Sequence, residues 1–319
     1  MAILPDLRTI REARKLLDRY LPVTRTIPAR SLSGSGMAVH LKLETDLPTS
    51  SFKPRGALYA LAVNLARRRV EEVTASSTGN HGAAVAFAAK TLGIPATIFL
   101  PSNPNPVKRK KISDLGARIV ETGGGDLAAA FQEASEYSAR PGVYFLNDAT
   151  DTDVPVGTAT IGVEIAEQVP KVSVVYVPMG DTALIRGIAA AVKQLVPNVR
   201  VIGVQAERAP SYYLSWKEGR AVPTDTCDTC ADGLATRTPD AQNVRTIREL
   251  VDEVMLVSED QMIGAIAGLY DHEGVLAEPA GAAATAAFIA SPPQDGGCTV
   301  LMVTGANISE DVMDRAGVL

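Results

Sequence analysis

Short apolar runs rich in Val and Ile alternate along this chain with stretches of helical pattern. Strands are expected at residues 38–43, 72–76, 96–100, 118–121, 143–146, 172–177, 199–205, 253–257 and 299–303. Runs that are apolar at successive positions, rather than at every second one, suit strands covered on both faces. Helices are expected at 56–69, 80–92, 105–115, 183–195, 258–271 and 278–290. Their stop signals are legible: Gly93-Ile94-Pro95 after the second, Gly116 after the third, Pro197 after the fourth. Ser258, followed by Glu259 and Asp260, reads as an N-cap with acids in the first turn. Repeated strand–helix units imply an α/β architecture with mostly parallel sheets flanked by helices. Nine strands are many for one open sheet, so two sheets in two domains are expected.

Composition narrows the function classes. The chain has 319 residues, 31 basic and 36 acidic, for a net charge of −5. That length supports two cores, and the acidic balance argues against a nucleic-acid partner. The one basic cluster, Lys108-Arg109-Lys110-Lys111, reads as a solvated helix face. No apolar run reaches the length of a membrane span. The first residues carry charges where a signal peptide needs an apolar core, so a cytoplasmic location is the expectation. Three cysteines cannot build a disulfide framework. Cys227 and Cys230 form a C-x-x-C without the second pair that zinc would want. They also lack the strand-to-helix setting of a redox pair, and so read as loop thiols.

Five segments lie at strand or helix edges and are too polar or glycine-rich for a core. In SSFKPRGA (50–57), Lys53 stands between Phe52 and Pro54 at a helix start. The positive end of the helix dipole and enclosure beside Phe52 would both lower its pKa, which favours the neutral amine that Schiff-base chemistry needs. In SSTGNHG (76–82), hydroxyls, an amide and a helix N-terminus could receive a carboxylate or a phosphate. VPMGDTALIRG (177–187) is again strand, glycine turn and helix, but neither a Walker loop nor a dinucleotide fingerprint. AEPAGAA (277–283) sets Glu278 before Pro279 at a helix start, and VTGANIS (303–309) ends a strand with Thr304 and Asn307. Each alone is compatible with an ordinary turn.

In this order, together with GTATIGVEI (157–165) and ADGLA (231–235), the segments resemble the fold-type II pyridoxal 5'-phosphate (PLP) enzymes, which share a tryptophan synthase beta-like fold. Within them the chain is most similar to the serine/threonine dehydratase and serine racemase group. The resemblance runs from about Leu41 to Ile308. It implies a large PLP-binding domain from 1–65 and 150–319, a small mobile domain from 66–149, and a homodimer. It implies that Lys53, beside Phe52, holds PLP as a Schiff base, with Asn80 at the ring hydroxyl and Thr304 at the pyridine nitrogen. Gly180, Asp181, Thr182 and Ala183 would hold the phosphate, and Glu278 would belong to the cofactor site. Ser77, Thr78, Gly79 and His81 would hold the carboxylate of a small amino-acid substrate, with Thr78 close to the chemistry.

The departures matter. The phosphate loop of the dehydratases is a run of four glycines, whereas here Asp181 should turn away from a phosphate dianion while Thr182 donates. The segment after the fifth strand reads FLNDAT in place of a proline-phenylalanine-aspartate pattern. Racemases of the group bind a divalent cation through a glutamate and an aspartate. Glu207 fits the first, but Tyr213 stands at the second, so no metal is expected. The implied reaction is β-elimination from a β-hydroxy amino acid, with Lys53 as general base, giving a 2-oxo acid and ammonia. Racemisation, β-replacement and threonine synthesis are the alternatives within the same fold.

Overall fold

The computed structural model describes residues 4–34, 36–77, 79–102, 106–123, 127–294 and 296–318. Among the described residues there are ten strands: β1 (Thr26–Pro28), β2 (Met37–Leu43), β3 (Glu72–Ser76), β4 (Ala96–Leu100), β5 (Arg118–Glu121), β6 (Val143–Phe145), β7 (Val172–Pro178), β8 (Arg200–Ala206), β9 (Glu253–Val257) and β10 (Gly297–Val303). The same residues form twelve α-helices: α1 (Leu7–Leu17), α2 (Lys53–Arg67), α3 (Asn80–Leu92), α4 (Pro106–Asp114), α5 (Leu127–Tyr137), α6 (Val154–Gln168), α7 (Ala183–Leu195), α8 (Ser211–Glu218), α9 (Ala241–Leu250), α10 (Glu259–Glu273), α11 (Pro279–Ala290) and α12 (Glu310–Ala316). All nine expected strands form. The short β1 is additional, and it is the one antiparallel strand.

The strands make two sheets. The larger has the order β1-β2-β10-β7-β8-β9, and the smaller the order β5-β4-β3-β6. Apart from β1, every pairing is parallel. Parallel strands need crossover helices, and these cover both faces of the larger sheet. Alternate residues of β10 show the result. Leu301 and Val303 pack with Ala283 of α11 and Ile266 of α10, while Val300 and Met302 pack on the other face with Ile188 of α7 and Ile247 of α9. The smaller sheet buries Val73 and Ile98 against Leu58 of α2 and Ala84 of α3.

Local signals fix the ends that matter. α10 opens with a capping box between Ser258 and Gln261. α3 ends at Gly93, whose φ of +74° is the left-handed conformation glycine adopts without strain, and Pro95 follows. The helix α6 is buried on nearly every side. Gly157 lets it approach α2: a Cβ there would stand 2.3 Å from the Arg55 carbonyl oxygen.

Beneath the start of α2 lies a charged cluster removed from solvent. Arg55 donates to Glu44 (2.8 Å) and to Glu164 (2.7 Å), and Lys42 donates to Glu164 (2.6 Å) and to the Thr24 carbonyl (2.8 Å). Burial raises the Glu164 carboxyl, but Arg55 and then Lys42 outweigh it and hold its pKa below the usual range. The cluster ties α2, and with it Lys53, to β2 and α6.

Candidate active site

A cleft of about 240 Å³ gathers four of the five segments singled out in the sequence around the fifth, which carries Lys53. Phe52, Lys53, Ser77, Gly79, Asn80, His81, Gly180, Asp181, Thr182, Ala183, Glu278 and Thr304 all line it. Thr78 lies outside the described residues. The ends of β3, β7 and β10 and the starts of α2 and α11 deliver these side chains, as expected where parallel strands run into helices.

Lys53 opens α2, its backbone anchored where Phe52 N–H donates to the Thr304 carbonyl (3.0 Å). Its Nζ lies 5.2 Å from the centre of the Phe52 ring and pairs with Asp148. The lowered pKa expected from the sequence is not what the site produces. Burial pushes the amine down, but Asp148, then Asp181 and Glu278, more than offset it, so the pKa is raised. The helix dipole and desolvation act locally, whereas the carboxylates arrive from distant segments.

One wall of the cleft carries a chain of amides. Asn80 Nδ2 donates to Glu278 Oε1 (2.6 Å), and Asn307 Nδ2 donates to Asn80 Oδ1 (2.6 Å). Gly305 makes this possible, because a Cβ there would sit 2.3 Å from Glu278 Oε1. Thr304 is buried, and its hydroxyl points toward the Ala280 carbonyl at 3.4 Å.

Two helix N-termini border the cleft. At α3, Gly79 N–H donates to Ser77 Oγ (3.2 Å). His81 Nε2–H donates to the Leu146 carbonyl (2.9 Å). At α7, the loop 180–183 presses on the ADGLA turn: a Cβ at Gly180 would meet the Gly233 carbonyl at 2.2 Å. Thr182 adopts φ +68°, a left-handed backbone that costs an ordinary residue about 1–2 kcal/mol. Its hydroxyl oxygen accepts from Arg186 Nε (3.1 Å), which leaves its own hydrogen to donate. Asp181 lines the cleft. Its carboxylate accepts from Thr236 Oγ1 (3.1 Å), and burial, then Asp148, raise its pKa toward the neutral form that would not repel an anion.

Two groups here escaped the sequence reading. Asp148 was visible only as part of an unfamiliar segment. Lys111, assigned to a solvated face, turns inward. Its Nζ donates to the Thr49 carbonyl (2.8 Å) and to Asn307, and burial lowers its pKa. Cys230 also lines the cleft, with its thiol pushed up to about 12 by burial and by Glu259. Cys227 and Cys230 are free thiols. Tyr213 N–H donates to Gln205, and no group of three or more His, Cys, Asp or Glu suited to a metal occurs among the described residues.

The cleft fits PLP on its own chemistry. It offers an amine for an aldehyde, a helix N-terminus for a phosphate, and a buried hydroxyl, Ser76 Oγ, with no partner in the protein. The comparisons point the same way. A model for pyridoxal-phosphate dependent enzymes matches residues 18–305. L-threonine ammonia-lyase of Thermotoga maritima is 36% identical over 310 residues, covering 97% of this chain and 77% of the relative. Among solved structures, threonine deaminase isoform 2 of Solanum lycopersicum superposes with a TM-score of 0.89 at 28% identity, over 99% of this chain and 94% of that one. Maize serine racemase gives 0.91 at 26%, over 98% and 96%. Since the matched span runs from before β1 to the end of β10 and takes in both sheets, the chain belongs to the pyridoxal-phosphate dependent enzymes.

Proposed function

We propose that the protein is a PLP-dependent ammonia-lyase that removes water from a β-hydroxy amino acid such as L-threonine or L-serine, giving a 2-oxo acid and ammonia. The observation that carries this reading is the placement of Lys53 Nζ in a cleft bordered by the N-termini of α3 and α7, one seat for a carboxylate and one for a phosphate. The relatives named threonine ammonia-lyase and threonine deaminase support the choice of substrate class.

Bound there, PLP supplies electron withdrawal from the substrate Cα. Lys53 would hold the cofactor through its amine, Asn80 and Glu278 would order the ring edge, and Gly180 to Ala183 would take the phosphate. Ser77, Thr78, Gly79 and His81 would fix the substrate carboxylate, setting the Cα–H bond toward Lys53. Lys53 Nζ would accept the Cα proton. Thr304 would face the pyridine nitrogen with a neutral hydroxyl, which does not stabilise a protonated ring as a carboxylate would. That favours prompt loss of the β-hydroxyl over transamination.

The same proposal holds that residues 66–149, which carry the smaller sheet, form a mobile domain that closes over the substrate. A homodimer is the assembly the resemblance implies, and sedimentation tests it. Among the described residues, no helix is long and apolar enough to cross a membrane. The test of function is release of 2-oxo acid and ammonia from L-threonine, L-serine and L-threo-3-hydroxyaspartate. Equal release of both products supports the reading. Inversion of the amino acid without ammonia would replace it with a racemase.

A further inference from the structure

Asp148 is built into the site with more care than an incidental ion pair needs. It sits in the turn after β6, where Ala149 N–H donates to Asn147 Oδ1 (3.1 Å) and Asp151 N–H donates to the Asn147 carbonyl (2.9 Å). Carbonyls before and after it, those of Leu146 and Ala149, are also held. Leu146 O accepts from His81, while Ala149 O accepts from Asn243 Nδ2 (2.8 Å) and Arg186 Nη2 (3.3 Å). The turn that carries the carboxylate is therefore held in place. Its side chain is 12% exposed, bonded to Lys53 Nζ, and 3.6 Å from His81 Nδ1. A carboxylate buried this far is paired or neutral. Burial acts to raise its pKa, but His81 and Lys53 reverse that and hold it ionised.

We propose that Asp148 is a further catalytic residue: the fixed counter-charge of the Lys53 nitrogen, which sets the pH at which that nitrogen holds its proton once the cofactor is bound. This rests on the reading that Lys53 carries the cofactor. Other charges face the pair. Asp181 from the β7–α7 loop and Glu278 at the start of α11 act on Lys53, and His81 of α3 and Arg186 of α7 lie on the side of Asp148. Among them Asp148 is the carboxylate in direct contact with Nζ along a pinned turn, so its removal should dominate. A carboxylate at contact distance favours the protonated nitrogen, by about 1–3 pH units in comparable pairs.

The experiment is a pH titration of the lysine-bound cofactor absorbance, without substrate, in the wild type, Asp148→Asn and Asp148→Glu. The Asn variant should lose its protonated absorbance at a pH at least one unit lower, and the Glu variant should fall between it and the wild type. Retained circular dichroism shows that the fold survives. If the Asn variant does not fold, the Glu variant carries the test, since its longer arm moves the carboxylate and must still lower the midpoint. A midpoint unchanged by the substitution overturns the proposal, because a purely structural role would not set it. The readout needs no turnover, so absent ammonia release counts against the lyase reading and leaves this one standing. Absence of any lysine-bound absorbance in the wild type removes both.

Discussion

Lys111 Nζ lies 2.8 Å from the carbonyl oxygen of Thr49, joining α4 beside the smaller sheet to the loop that leads into Lys53. The same ammonium donates to Asn307, whose amide holds Asn80. One side chain thus ties α4 to both the lysine loop and the amides of Asn307 and Asn80. Losing a hydrogen bond from a charged group costs about 1.5–3 kcal/mol. Lys111→Ala is therefore expected to raise KM for the amino acid and to speed cofactor release by tenfold or more, with the fold intact. Steady-state kinetics and cofactor dissociation, followed by absorbance, check this.

Ser50 has φ 55°, left-handed without being glycine. Such a residue pays roughly 1–2 kcal/mol, partly offset in a glycine variant by about 0.5–1 kcal/mol of unfolded-chain entropy. Ser50→Gly should therefore stabilise by roughly 0.5–1 kcal/mol in urea unfolding. Thr182→Gly should gain less, because it also removes the acceptor for Arg186.

Arg55 is 2% exposed, and two buried carboxylates depend on it. Arg55→Ala leaves Glu44 without its cation and Glu164 with Lys42 as its closest one, and should cost about 3–5 kcal/mol. The pH dependence has a definite sign. Glu164 has a depressed folded pKa, so it contributes stability above the unfolded carboxylate value, and that stability is lost as pH falls through the folded value. Urea midpoints of the wild type should therefore drop below about pH 4, and the Arg55 variant should lose part of that acid limb.

Gly180 leaves no room for a side chain against Gly233. Gly180→Ala must displace the ADGLA turn or the loop itself, a strain of about 1–3 kcal/mol. The expected result is a folded protein that retains cofactor at least tenfold less tightly on dialysis.

Much of this was legible in the sequence, for identifiable reasons. The bounds of α3 and α7 follow from Gly93-Ile94-Pro95 and Pro197. The helix α6 was missed because it is buried all round and so shows no amphipathic period. Lys111 was misread because four consecutive helical residues span about 300° of the helix surface, so a run of four charges cannot all face solvent. At least one must turn inward, and the run alone does not say which. The raised pKa of Lys53 was missed because its main partner, Asp148, stands 95 positions away. Local sequence shows the helix start but not the carboxylate folded onto it.

The central claim is that Lys53 carries the cofactor. The most direct test is borohydride reduction of the PLP-loaded protein, followed by proteolysis and mass spectrometry of the labelled peptide. The account predicts that the reduced cofactor is found on Lys53, in the peptide spanning SSFKPR, and that Lys53→Ala takes up no label. Label on another lysine, or full labelling of the Lys53 variant, would contradict it.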